Sequence, residues 1–124
     1  MSQFTNRYDL EERTAKFGES MILFCRTLKQ DVISAPIISQ GVRSSTSIGA
    51  NYMEAIGASS RKDFTNKIFI CKKEAQETKH WLRMLEALFP ARKEEIKKLW
   101  KEAQELTLIF QKITSTLRKQ QLIH

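Results

Sequence analysis

The chain has 124 residues, which suits one domain and leaves little room for a second. Hydrophobic residues make up 41%, enough for one bundle or small sheet to bury a core, yet no run reaches the ~18 apolar residues of a membrane-spanning helix. The net charge of +7 points to anionic partners. Its excess lies in residues 41–124, which carry sixteen Lys/Arg against nine Asp/Glu, whereas residues 1–40 carry five of each.

The opening MSQFTNRYDLEER has no apolar stretch of the kind a secretory leader needs, so a soluble cytoplasmic protein without a membrane partner is expected. Two prolines and four glycines favour long helices over many short strands. Leu10, Thr14, Phe17, Met21, Phe24 and Leu28 step by fours and threes, which predicts a helix over 9–31 with Asp9 as its N-cap and Glu11 and Glu12 in its first turn. Cys25, and later Cys71, sit in apolar runs without metal-ligand or CxxC spacing. They read as buried thiols of a reducing compartment.

Pro36 can occupy the first position of a second helix, over 35–57. That helix must absorb RSSTSIGANYMEA, residues 43–55, which looks at first like a loop. On a helical wheel Ile38, Val42, Ser45, Gly49, Tyr52 and Ile56 form a face of alternating small and large residues that lets a neighbour approach closely. Arg43, Ser47, Asn51 and Glu54 form a polar stripe opposite. The stripe is either a solvated face or a hydrogen-bonded network holding helices or subunits in register. A phosphate-binding loop is the weakest reading, because RSSTSIG lacks the P-loop glycine spacing and lysine.

Ser60 with Asp63 resembles a capping box opening a third helix over 60–89, and Pro90 closes it. Phe64, Ile68, Cys71, Ala75, Thr78, Leu82, Leu85 and Phe89 give that helix an unbroken heptad seam. Beside the seam Arg61, Lys62, Lys72, Lys73, Lys79, His80 and Arg83 crowd into one arc, while Asp63, Glu74 and Glu77 collect on another. This basic ridge, with Phe69 projecting from it, suits phosphate contacts plus base stacking. It is equally a solvated surface, or a subunit contact anchored by Phe69. A fourth helix over 91–120 repeats the pattern with Ile96, Leu99, Ala103, Leu106, Phe110, Ile113 and Leu117. Four helices with short connections predict an all-α, antiparallel up-down four-helix bundle forming a single domain over 1–124.

Catalysis has little support. His80 lies among cations, His124 is the last residue, and no Ser/His/Asp set, Cys/His pair, HExxH or Glu-x-x-His pattern is present, so no enzyme, metal or cofactor is expected. Ser44, Ser45 and Ser47 lack an evident base. Trp81 and Trp100 lie on or beside the apolar seams and read as core packing.

The run from Arg43 to Leu85 resembles the bacterial four-helix-bundle proteins first described as encoded by 23S rRNA intervening sequences, and through them the accessory variability determinant of diversity-generating retroelements. The residues that carry the likeness are Arg43, Ser47-Ile48, Asn51 with Glu54, SRKDF at Ser60 to Phe64, and KKEAQET followed by Trp81-Leu82. Ala55 after Glu54 departs from the commoner N-x-x-E-G pattern. The resemblance implies an up-down bundle assembling into a homopentamer with a basic surface. In the retroelement relatives it implies binding to RNA or DNA and to a reverse transcriptase, without chemistry of its own. For the intervening-sequence members no biochemical role follows. Carried over to this sequence, Arg43, Asn51, Glu54, Glu74 and Glu77 form a structural polar set, and the third-helix cations Arg61, Lys62, Lys72, Lys73, Lys79 and Arg83 form the nucleic-acid surface. The alternative is a structural scaffold whose ridge meets a protein partner.

Overall fold

A computed structural model describes residues 3–123, with side chains from 10 to 121. It contains α1 (Gln3–Cys25), α2 (Ser34–Ile56), α3 (Arg61–Leu88), a single 3-10 turn (Pro90–Arg92) and α4 (Lys93–Ile123). Every seam position expected on the first helix from Leu10 to Leu28 is buried. So are Ile68, Cys71, Ala75, Leu82 and Leu85 on α3 and Ile96, Ala103, Leu106 and Phe110 on α4. The pattern that fixed the fold class therefore also fixed the core: an all-α four-helix bundle.

Antiparallel register is visible in the side-chain pairs. Along α2 and α3, Gly41 meets Leu85, Ser44 meets Thr78, Ile48 meets Cys71 and Glu54 meets Lys67, so numbers rise on one helix as they fall on the other. Between α3 and α4 the same holds for Lys79 with Gln104 and Phe69 with Arg118. The α1/α4 seam is the least extensive of the four. Arg13 holds it, its Nε and Nη2 donating to both Glu102 carboxylate oxygens at 2.7 and 2.8 Å, and beside it Arg92 of the 3-10 turn lies 4.9 Å from the Phe24 ring centroid. By contrast α1 and α2 touch through small residues. A Cβ placed on Gly49 would lie 3.4 Å from Thr14 Oγ1, and one on Gly18 would lie 3.5 Å from Thr46 Cα, so both glycines serve close approach.

Helix ends depart from expectation for local reasons. The first helix stops at Cys25, six residues early, because the Thr27 hydroxyl donates to the Phe24 carbonyl at 2.6 Å while the Thr27 and Leu28 amides close tighter three-residue bonds. It also begins at Gln3, which puts Asp9 inside the helix and Glu11 and Glu12 beyond its first turn. The Asp9 side chain lies outside the described residues. Asp31 then captures the start of α2, its carboxylate accepting the Ile33 and Ser34 amides at 2.9 and 2.8 Å. Those amide bonds hold the Asp31 carboxyl below its ordinary value. Pro36 stands third in α2, still within the turn whose amides need no helical partner. Ser60 caps α3 as expected, its hydroxyl accepting the Asp63 amide at 3.0 Å, and the helix ends two residues before Pro90.

The core also holds hydroxyls: Thr14, Ser44, Ser45, Thr65, Thr78, Thr107 and Thr114 are buried. Most return a hydrogen bond to a carbonyl one turn earlier on their own helix, as Thr14 does to Leu10 at 2.8 Å and Thr107 to Ala103 at 2.7 Å. Consequently no buried side-chain polar atom among the described residues is left without a partner.

Candidate nucleic-acid interface

RSSTSIGANYMEA lies wholly within α2, and its polar residues separate into three local arrangements. Arg43 donates through Nη1 to Glu74 at 3.3 Å and through Nη2 to Glu77, both on α3. The same Glu77 carboxylate accepts the Trp81 indole N–H at 3.0 Å. Trp81 chiefly, with Arg43 assisting against partial desolvation, holds the Glu77 carboxyl below its ordinary value. Desolvation would lower the Arg43 value, but Glu74 and Glu77 outweigh it and hold the guanidinium above its usual range. Farther along, Glu54 pairs with Lys67 at 2.8 Å. Asn51 turns back on its own helix, donating to the Ser47 carbonyl at 2.8 Å.

Of the expected polar set, Arg43, Glu74 and Glu77 thus form one cluster. Ser47 with Asn51 and Glu54 with Lys67 stand apart from it. Three pairings were not visible in the sequence. Lys67 and Trp81 lie outside the stripe, and the Ser44 and Thr78 hydroxyls meet at 2.8 Å inside the bundle. Ser44, for which the sequence offers only the absence of a base, is buried one turn beyond Gly41.

These pairings explain the charge segregation on α3. Glu74 and Glu77 turn toward α2, where both meet the one Arg43 guanidinium, and the cations are left toward α4 and solvent. Lys62, Lys72, Lys73 and Arg83 make no ion pair among the described residues. Arg61 and Lys79 are partly engaged instead. Arg61 donates to Gln120, and Lys79 Nζ donates to Gln104 at 2.6 Å while standing 5.5 Å from the Trp100 ring centroid. Phe69 does not project freely from the ridge, because the Arg118 guanidinium covers it at 4.9 Å.

The ridge is therefore half of a wider basic face to which α4 contributes. Lys97, Trp100 and Lys101 border the same open cleft as Arg83, and their spacing on α4 is the sequence signal that went unread. Trp100 is 40% exposed, which corrects the expectation that it packs in the core. Its neighbours on α3 are too few to cover a ring at the outer edge of the seam. On the α1/α2 side of the bundle the charge is opposite: Glu11, Glu12 and Glu19 line a groove with Ile22 and Met53.

No group of three or more His, Cys, Asp or Glu residues suited to a metal ion occurs among the described residues. No described helix is long and apolar enough to cross a membrane. Both thiols are inert by burial, which pushes Cys25 up to about 11 and Cys71 up to about 12.

Residues 8–117 match the family described as 23S rRNA-intervening sequence protein. The chain belongs to this family. A crystal structure titled as a protein of unknown function from the S23 ribosomal protein family of Bacteroides thetaiotaomicron is similar in fold. The two share 31% identity and a TM-score of 0.76, over 85% of this chain and 97% of that one. No curated protein matches.

Proposed function

We propose that this intervening-sequence family member is a non-enzymatic protein that binds nucleic acid through the combined α3/α4 face and works as a homo-oligomer. The observation that supports the reading most is the separation of charge on α3. Glu74 and Glu77 pair with Arg43, while Lys62, Lys72, Lys73 and Arg83 form no ion pair among the described residues, and Arg83 borders a cleft with Lys97 and Lys101. Phosphate oxygens are the chemistry such a face recognises, and displaced counterions supply much of the free energy. Arg61 and Lys79, each held by a glutamine, would act from fixed positions.

A homopentamer, and a reverse transcriptase as protein partner, are the assembly and partner that the retroelement resemblance suggests. Fluorescence anisotropy with a labelled oligonucleotide over a salt series tests the reading. Affinity is expected to fall linearly with salt on logarithmic axes, by about 0.7 per phosphate contacted on a single strand. A flat response would favour the scaffold reading, in which the basic face meets a protein.

A further inference from the structure

The chain has two tryptophans, and the bundle treats them differently. Trp81 is half-buried and its N–H is committed to Glu77. Trp100 is 40% exposed, its indole N–H has no partner among the described residues, and it stands at an open cleft of about 590 Å³. Leu82 and Ile96 give the cleft an apolar lining, and Arg83, Lys97 and Lys101 supply its positive charge. Lys79, fixed by Gln104, lies near the ring. We propose that Trp100 is a base-stacking platform, so that the α3/α4 face takes unpaired nucleotides of a single strand or loop in preference to continuous duplex.

The proposal rests on the nucleic-acid reading and deepens it. An aromatic ring flanked by cations at helical spacing offers a stacking surface with phosphate contacts on either side. In a duplex the base faces are already stacked and unavailable to such a ring, and RNA duplexes are met mainly through backbone and shape. Glu86 borders the same cleft. Its carboxylate repels phosphate there but accepts an N–H from a base edge, which seats a base rather than the backbone beside Trp100. The other aromatic on the face, Phe69, lies closer to its covering cation, with Arg118 at 4.9 Å against 5.5 Å for Lys79 at Trp100, and it does not border this cleft.

The test compares the parent, Trp100→Leu and Trp100→Phe in binding labelled 20-nucleotide single strands of RNA and of DNA, and the matching duplexes, at one salt concentration. Trp100→Leu keeps apolar cover on the seam, and circular dichroism verifies that each variant folds. The expected result is about a tenfold loss for single strands with Trp100→Leu, little change for duplexes, and substantial rescue by Trp100→Phe. In a Trp81→Phe background, where Trp100 is the sole tryptophan, its fluorescence should be quenched by the single strand. Equal weakening of single strand and duplex, or no weakening together with no quenching, overturns the stacking role while the nucleic-acid reading stands. A parent that binds neither form overturns both.

Discussion

Ser44 on α2 and Thr78 on α3 bring their hydroxyl oxygens to 2.8 Å at a point that neither side chain shares with solvent. Thr78 also returns a bond to the Glu74 carbonyl at 2.8 Å, so donors and acceptors close into a small chain. Each hydroxyl sits one residue beyond a member of the Arg43 cluster, Ser44 after Arg43 and Thr78 after Glu77, and the contact fixes the axial register of α2 and α3.

Removing one partner of that pair leaves the other short of a bond. Ser44→Ala is expected to cost about 1 kcal/mol in urea unfolding, and Thr78→Val about the same. The double variant should cost measurably less than the sum of the two, because the second change no longer breaks a bond. Strict additivity would mean that the hydroxyls do not interact in solution.

The Glu77 carboxyl carries a pH signature. Its folded-state value is held down, first by the Trp81 N–H and then by Arg43, relative to an ordinary value of 4.5. A carboxylate held down in the native state contributes stability above the unfolded value and loses it as the pH falls through the folded one. Parent and Glu77→Gln should therefore differ in stability at pH 7 and converge as the pH is lowered beneath 4.5. A gap that stays constant with pH would contradict this role.

Arg13 supplies the main polar closure of the α1/α4 seam, reaching Glu102 through two bonds and Glu105 at 2.7 Å. Its geometry is bidentate and its guanidinium is partly shielded, both of which raise its worth above that of an ordinary surface pair. Arg13→Ala should lower stability by about 1 kcal/mol. Amide exchange should rise mostly in α1, whereas a uniform rise along all four helices would show that α1 does not open separately.

The thiols give a simple probe of core integrity. With Cys25 and Cys71 buried and their ionisation pushed up to about 11 and about 12, a disulfide reagent at pH 8 should leave both unmodified in the native protein. Both should react promptly in denaturant. Fast native labelling of either would place that helix face in solvent.

Much of the fold was legible because helical periodicity and burial are two expressions of one constraint. Leu10 to Leu28, Phe64 to Phe89 and Ile96 to Leu117 were core positions by spacing alone, and Gly49 was recognisable as a close-approach residue. The end of α1 was not, since Thr27 and Asp31 divert the chain through hydrogen bonds that no hydrophobic pattern encodes. At the candidate site the α3 cations and the Arg43 stripe could be identified, but their pairing could not. A wheel shows which residues share a face of one helix, whereas Lys67 with Glu54 and Arg118 with Phe69 depend on which helix lies alongside. Trp100 was misread for the same reason. Its spacing places it beside the seam, and only the width of the α3/α4 contact leaves its ring exposed.

The central claim is that the α3 cations that form no ion pair among the described residues contact phosphate. Its most direct test is the affinity of a Lys72→Glu, Lys73→Glu, Arg83→Glu triple variant for a labelled oligonucleotide at fixed salt, with light scattering to follow the assembly. The account predicts that binding is lost while the oligomer persists unchanged. A triple variant that binds RNA and DNA as tightly as the parent would contradict it.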